Sequence, residues 1–174
     1  MNPPTLPADA ACALIGPPGS GKSTFARTHF KPTQVVSSDF CRALVADDEN
    51  DQSASADAFD LLRHIADKRM ERGRLTVIDA TNLRYADRSW LLDRAHHWKR
   101  PCAAVLFDVP LSIVQAQNAG RDRVVPSDVV SEFHALLPTV DQLHEEGWDM
   151  VLLASTITPV PARGVRTAGR GGAR

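Results

Sequence analysis

The sequence predicts an α/β fold in which a five-stranded parallel sheet is covered by helices on both faces. Three observations support this prediction. Short apolar runs alternate with helical patterns along most of the 174 residues, which is typical of buried parallel strands joined by helices. A glycine-rich loop, Gly16–Ser23, follows the first apolar run. The third run closes on an acidic residue, Asp79, as in many nucleotide-binding sheets.

The glycine-rich loop reads GPPGSGKS and matches the spacing G-x-x-x-x-G-K-S of phosphate-binding loops. Glycine permits the backbone conformations by which N–H groups turn toward phosphate oxygens. A helix that begins near Lys22 would direct further N–H groups at the same anion. We expect Lys22 to reach the β- and γ-phosphates and Ser23 to bind Mg²⁺. The predicted nucleotide-binding residues here are Gly16, Pro17, Pro18, Gly19, Ser20, Gly21, Lys22, Ser23 and Thr24.

The first part of the chain predicts two strand–helix pairs. The apolar run Ala10–Ile15 is the first strand, and Ser23–His29 is the helix after the loop. A proline-containing turn then leads to a short strand, Gln34–Ser37. Phe40–Val45 follows as a short helix.

A longer helix is predicted from about Ser55 to Arg72, because its apolar residues recur at helical spacing. It leads to a third strand, Leu75–Asp79, and to a helix over Arg84–His97. The apolar residues on the face of the longer helix are Phe59, Leu62, Ala66 and Met70.

The remaining segments continue the alternation. Ala103–Val109 predicts a fourth strand and Leu111–Ala119 a helix. Another helix is predicted from Ser127 to about Gly147, with a break at Pro138 because proline interrupts helical hydrogen bonding. Asp149–Leu153 predicts the fifth strand.

Two carboxylates follow strands at the edge of the sheet where open α/β folds bind ligands. Asp39 is a candidate general base for an attacking hydroxyl, or alternatively the cap of the following helix. Arg42 lies three residues on, on the same helical face. It is expected to pair with Asp39 or to bind a phosphate of the acceptor. Asp79 is expected to help hold the metal ion through a water molecule.

A short arginine segment, Gly120–Pro126, interrupts the helical pattern. Arg121 and Arg123 are candidates to close over the γ-phosphate as a lid, adding positive charge where the transition state needs it. The alternative is that both arginines form surface salt bridges with Asp122 and nearby acids.

Composition narrows the class of protein. The net charge of −1 gives no overall attraction to nucleic acid, so a polynucleotide would need a local basic patch. The three cysteines, Cys12, Cys41 and Cys102, are widely spaced and predict reduced thiols in a cytoplasmic protein. No apolar run approaches the ~18 residues of a membrane span, and residues 1–9 lack the features of a secretory signal.

The predicted domain covers residues 10–155. Residues 1–9 are expected to be a flexible lead-in. Residues 156–174 contain proline, glycine and arginine but no acid, which predicts a disordered basic tail or a linker to another domain.

Four stretches together resemble the kinase domain of bacterial polynucleotide kinase-phosphatase (Pnkp), a P-loop 5′-OH polynucleotide kinase family. The most specific are S-S-D-F-C-R at Ser37–Arg42 and D-D-E-N-D-Q at Asp47–Gln52. The others are Gly16–Ser23 and Leu75–Asn82. The resemblance implies a P-loop kinase fold with strand order 2-3-1-4-5 and an arginine lid.

The resemblance also implies an activity: transfer of the γ-phosphate of ATP or another NTP to the 5′-OH end of RNA or DNA, with Mg²⁺ or Mn²⁺, in RNA repair. By the same matching, Asp39 is the general base and Arg42 contacts the acceptor, while Arg121 and Arg123 lie in the lid. The spacing around Arg123 is shorter than in the family pattern. In the family, phosphatase and ligase-like modules follow the kinase, so the chain is expected to be an excised module or a stand-alone relative.

Two other functions remain open from the sequence. A small-molecule P-loop kinase that acts on a sugar or an antibiotic would share Lys22, Ser23 and Asp39. A regulatory NTP-binding switch would need the phosphate-binding loop but no general base.

Overall fold

The structure, a computed structural model, describes residues 6–157. Its sheet has five parallel strands in the order β2-β3-β1-β4-β5. The predicted sheet and strand order are therefore confirmed. The strands are β1 (Ala11–Ile15), β2 (Val35–Ser37), β3 (Thr76–Asp79), β4 (Cys102–Leu106) and β5 (Met150–Leu153).

Helices connect the strands in the predicted alternation. Two short 3₁₀ turns, Pro32–Gln34 and Gln52–Ala54, precede β2 and α3. The helices are α1 (Lys22–His29), α2 (Ser38–Ala46), α3 (Ser55–Glu71), α4 (Tyr85–His97), α5 (Leu111–Ala119), α6 (Ser127–Ala135), α7 (Val140–Glu146) and α8 (Ala154–Ile157).

The sheet separates two apolar clusters, because side chains alternate across each strand. On one face, Ala11, Ala13 and Ile15 of β1 pack in the cluster that contains α3 and α4. On the other face, Cys12 and Leu14 pack in the cluster that contains residues of α1. All five residues of β1 are buried, as expected for the central strand.

Several element boundaries differ from the sequence prediction, the largest difference being in β4. β4 ends at Leu106 rather than Val109, because its neighbour β1 ends at Ile15, where the phosphate-binding loop begins. The break predicted at Pro138 is confirmed, and it divides the helix predicted over 127–147 into α6 and α7. Pro138 lies in the break, and the Thr139 hydroxyl caps α7 by accepting a hydrogen bond from the Gln142 amide at 3.1 Å.

Most of the two terminal segments lies outside the described residues. The predicted lead-in 1–9 is described only from residue 6, and the predicted tail 156–174 only to residue 157. Those last two residues belong to α8, and the domain limits otherwise stay predictions. None of the helices within residues 6–157 combines the length and apolarity needed to cross a membrane.

A buried ion pair supports the segment after β3. Arg88 of α4 is paired with Glu146 of α7, and its Nε donates to Glu146 Oε2 at 2.7 Å. Its Nη1 donates to the carbonyl oxygens of Asn82 and Leu83 at 3.1 and 2.7 Å. The Trp148 indole also donates to Glu146, at 3.2 Å. This charged network thus fixes the backbone of the segment that follows β3.

This network predicts an unequal effect of two glutamate substitutions. Glu146→Ala leaves the Arg88 guanidinium buried without its counter-charge, which should lower the free energy of unfolding by about 3 kcal/mol. Glu71→Ala removes an exposed pair with Lys68 and should cost less than about 1 kcal/mol. Urea denaturation of both variants measures the difference. Equal losses would show that the buried network contributes no special stability.

Candidate active site

The candidate site lies where three neighbouring strands end. Asp79 of β3 is in register with Leu14 of β1 on one side and with Ser37 of β2 on the other. The phosphate-binding loop begins two residues after Leu14, and Asp39 comes two residues after Ser37. Parallel pairing therefore brings together at one edge three segments that are far apart in sequence.

The backbone of the loop explains its glycines. Gly19 and Gly21 have φ values of +85° and +94°, which side-chain-bearing residues rarely adopt. A Cβ atom on Gly16 would lie 2.6 Å from Ser20 Oγ and 2.8 Å from Phe107 Cβ. The loop must therefore be glycine at these positions to turn tightly into α1. Gly21 is the N-cap of α1 and no side chain caps this helix, so its first turn is suited to an anionic ligand.

Lys22 is folded back on its own loop. Its Nζ donates to the carbonyl oxygens of Gly16 and Pro17 at 2.8 and 2.9 Å, and to Ser20 Oγ at 3.4 Å. Burial lowers the pKa of Lys22 to about 8, with nearby Asp79 opposing the shift and Arg121 adding to it. The ammonium group thus lies within the loop that a triphosphate would bind, close to both a carboxylate and the arginine segment.

Ser23 and Asp79 provide hard oxygen ligands side by side. Burial raises the pKa of Asp79, while the Ser23 hydroxyl, as a hydrogen-bond donor, and the Lys22 charge lower it. Within residues 6–157, no three His, Cys, Asp or Glu side chains cluster as a metal site. Mg²⁺ fits this arrangement, since it needs only one or two protein oxygens and takes its other ligands from phosphates and water. The oxygens of Ser23 and Asp79 would hold the ion.

Asp39 is not the cap of the helix that contains it. α2 begins at Ser38 rather than at Phe40, and its N-cap is Ser37, whose Oγ accepts a hydrogen bond from the Phe40 amide at 3.4 Å. The capping alternative for Asp39 is therefore wrong, because the preceding serine already fills that role. The Asp39 side chain is 53% exposed, and its charge influences the pKa values of Lys22 and Asp79.

Arg42 does pair with Asp39. Its Nη1 lies 2.5 Å from Asp39 Oδ1 and donates to the carbonyl oxygen of Glu49 at 2.8 Å. Its side chain is only 10% exposed, and its Nε is a buried donor with no partner among the described residues. Arg42 thus orients the candidate base, Asp39.

The two arginines of the arginine segment have different surroundings. Arg121 is close enough to Lys22 to contribute to the lowered Lys22 pKa, after burial. Arg123 reaches across the site, and its Nη1 donates to Asn50 Oδ1 at 3.0 Å. In the described part of the chain neither arginine forms a salt bridge with Asp122. The segment therefore lies beside the phosphate-binding loop and bridges to the residues after α2.

Two asparagines that hold the site together were not predicted as site residues from the sequence. Asn82 is buried, and its amide donates to the Leu14 carbonyl oxygen at 2.8 Å, joining the ends of β1 and β3. The amide of Asn118 bonds both to the Val125 carbonyl oxygen and to the Val125 amide. Asn82 followed the acidic strand in sequence, which was a signal. No sequence pattern indicated Asn118, because only the path of the chain brings its partner, Val125, next to it.

The buried lysine predicts a pH dependence of stability. Its folded pKa of about 8 lies below the ordinary lysine pKa of 10.5, so between these pH values the unfolded chain holds a proton that the folded chain has released. The free energy of unfolding of wild type minus that of Lys22→Met should therefore rise with pH in that window, by up to about 1.4 kcal/mol per pH unit.

This difference should be measured by urea denaturation without nucleotide and with a chelator present. Buried Cys12, whose pKa is raised to about 12, has the opposite effect on stability. The subtraction cancels that effect because both proteins retain the thiol. A difference that stays flat from pH 8 to pH 10.5 would contradict the buried position of the Lys22 ammonium.

Known proteins with similar structures include RNA-repair and sugar-kinase chains. A chain of the Pnkp1/Rnl/Hen1 RNA repair complex matches with a TM-score of 0.61 and 21% identity, over 86% of this chain and 47% of that one. A chain of a second Pnkp1/Rnl/Hen1 structure matches at 0.52 and 23% identity, over 70% of this chain and 40% of that one. This chain thus spans about half the length of those chains or less.

A gluconokinase from Sinorhizobium meliloti 1021 also matches, with a TM-score of 0.51 and 14% identity, over 84% of this chain and 82% of that one. At these identities the similarities establish the fold alone. No curated protein matches the sequence. The family model described as "AAA domain" (AAA_33) matches residues 12–142. Because that match covers most of the chain, including the phosphate-binding loop, Asp79 and the arginine segment, the protein belongs to the AAA_33 family and has the P-loop kinase fold.

Proposed function

We propose that this protein is a polynucleotide 5′-hydroxyl kinase, which transfers the γ-phosphate of ATP or another NTP to the 5′-OH end of RNA or DNA. One observation carries the proposal: Asp39 and Arg42 lie at the same sheet edge as the phosphate-binding loop, with Arg42 Nη1 2.5 Å from Asp39 Oδ1. A general base next to a γ-phosphate site is what transfer to an alcohol requires. A nucleotide switch has no need of such a base.

The proposed step uses each group in one role. The 5′-hydroxyl oxygen forms a bond to the γ-phosphorus while the bond from that phosphorus to the bridging oxygen of the leaving NDP breaks, and the hydroxyl proton passes to Asp39. Arg42 holds Asp39 through Oδ1. Lys22 leaves its loop carbonyls to neutralise the phosphates, and Arg121 adds charge from the arginine segment. A divalent ion, Mg²⁺ or Mn²⁺, would supply further neutralisation when held by Ser23 and Asp79.

Two features favour a polynucleotide acceptor. The Arg42 guanidinium, which lies beside Asp39, suits a phosphate oxygen of the acceptor strand. Phe40 follows Asp39 in the sequence and is 62% exposed, so its ring is accessible for stacking of a terminal nucleobase. A small sugar acceptor has neither a strand phosphate nor a nucleobase.

The biological setting forms part of the proposal. Two of the similar chains come from a Pnkp1/Rnl/Hen1 complex, one of them described as an RNA repair complex. These chains support a proposed role in RNA repair with phosphatase and ligase-like modules as partners. The widely spaced cysteines support the proposed cytoplasmic location. The gluconokinase similarity makes a small-molecule kinase the alternative.

The decisive assay follows transfer of labelled γ-phosphate. Wild type should phosphorylate 5′-OH RNA or DNA oligonucleotides, tested with each of four NTPs, and leave gluconate and other small alcohols unlabelled. Asp39→Asn should lower kcat by about 10²–10⁴-fold, because the variant cannot take the hydroxyl proton. Its affinity for ATP should be retained.

The matched control is Asp60→Asn, which changes an exposed carboxylate of α3 and should leave transfer unchanged. Labelling of small alcohols alone would overturn the polynucleotide assignment. Full activity of Asp39→Asn would show that another group is the base. Binding of ATP without transfer to any acceptor would favour a nucleotide switch.

The exposed aromatic ring gives a separate prediction. Phe40→Ala should weaken oligonucleotide binding by about 1–3 kcal/mol, seen as a raised KM for the oligonucleotide with the KM for ATP unchanged. Tyr85→Ala is the matched control, since Tyr85 is similarly exposed at 57% but starts α4, on the other side of β3. Equal effects of both variants would rule out specific stacking on Phe40.

A further inference from the structure

We propose that Asn118 is a positioning residue for phosphoryl transfer: it closes the arginine segment into a fixed loop and seats that loop against Gly19 of the phosphate-binding loop. The inference deepens the proposed function and rests on it. It concerns how the arginines are held rather than which acceptor they serve.

The first observation is the pair of hydrogen bonds that Asn118 makes. Its Nδ2 donates to the Val125 carbonyl oxygen at 2.6 Å, and its Oδ1 accepts from the Val125 amide at 3.1 Å. One side-chain amide thus satisfies both backbone groups of one residue seven positions on. Residues 119–124 between them are all exposed, whereas Asn118 is only 4% exposed. The arginine segment is therefore an exposed loop whose two ends are joined by the buried hydrogen bonds between Asn118 and Val125. We call this pair of bonds the Asn118 clasp.

The second observation is the contact with the phosphate-binding loop. A Cβ atom on Gly19 would lie 3.1 Å from Asn118 Cβ and 3.4 Å from its Cα. The glycine loop and the base of the arginine segment are therefore packed directly on each other at Asn118. Movement of either one displaces the other, because a close-packed contact leaves no space to absorb the shift.

The third observation is where the two arginines go. Arg121 acts electrostatically on Lys22, while Arg123 bonds to Asn50 in the loop after α2. The positions of both arginine side chains are fixed only if the backbone of the arginine segment has a single conformation. The Asn118 clasp supplies that shape, and the Gly19 contact places it relative to the phosphates. Long arginine side chains could otherwise point away into solvent.

The experiment measures kcat and KM separately for Asn118→Ala. We expect kcat for transfer to fall by about tenfold to a hundredfold, as for other misplaced catalytic groups, with the KM for ATP nearly unchanged. In a protein that already carries Arg121→Ala, the same substitution should have little further effect, because the group that it positions is gone. Multiplying effects in the double variant would overturn the proposal.

Gln115→Ala is the matched control, because Gln115 also links α5 to α6, through Ser131 Oγ at 3.1 Å, but outside the arginine segment. It should retain kcat. An equal loss in Gln115→Ala would mean that Asn118 acts only by joining the two helices, and the proposal would be wrong.

If Asn118→Ala does not fold, Asn118→Asp provides the same test. It keeps the size of the side chain and the bond from the Val125 amide but cannot donate to the Val125 carbonyl oxygen when ionised. We expect the same loss of kcat and the same dependence on Arg121. Wild-type kcat in this variant would overturn the proposal.

Intrinsic ATP hydrolysis, which needs no acceptor, is measured beside transfer for every variant. An Asn118 effect on hydrolysis that disappears with Arg121→Ala would support the proposal even if no oligonucleotide is phosphorylated. The acceptor assignment alone would then fail. Conversely, oligonucleotide transfer that is indifferent to Asn118 would remove this inference and leave the proposed function standing.

Discussion

The parallel pairing of β3 between β1 and β2 is the constraint on which the candidate site depends. Asp79 lies in register with Leu14 on one side and Ser37 on the other, so the segments after these strands must emerge together. Asn82 tightens the arrangement by bonding to the Leu14 carbonyl oxygen. A one-residue shift of this register would turn the side chain of Asp79 to the opposite face of the sheet and separate its carboxylate from the Ser23 hydroxyl.

The positive side chains around this edge of the sheet are bonded to protein oxygens. Lys22 is bonded to carbonyl oxygens of its own loop, and Arg42 is bonded to Asp39 and Glu49. Arg123 is bonded to Asn50. Arg42 and Arg123 are therefore already oriented by protein oxygens, which limits their reorganisation when a triphosphate binds. Lys22, in contrast, must exchange its loop carbonyl oxygens for phosphate oxygens. For Lys22 the cost of burial is visible in its lowered pKa, and a bound polyphosphate would remove that cost.

Sequence was most informative where function depends on a local pattern. The loop Gly16–Ser23, the start of α1 at Lys22 and the acid that ends β3 follow from spacing, because each requirement is met within a few residues. Sequence was less informative about boundaries, since β4 ends where its neighbour ends. It left the role of Asp39 open between base and cap. Only the hydrogen bond from Phe40 to Ser37 removed the cap, and the catalytic role remains a proposal.

By itself, then, the sequence determined the phosphate-binding loop, the class of fold and the order of its strands, because these depend on residue type, on short-range spacing and on resemblance to a known family. The tertiary structure alone decided which distant groups meet: Arg88 with Glu146, Arg123 with Asn50, and Gly19 with Asn118. Such partners are chosen by the path of the whole chain. No local pattern records that path, since polar side chains of the same types occur throughout the sequence without these contacts.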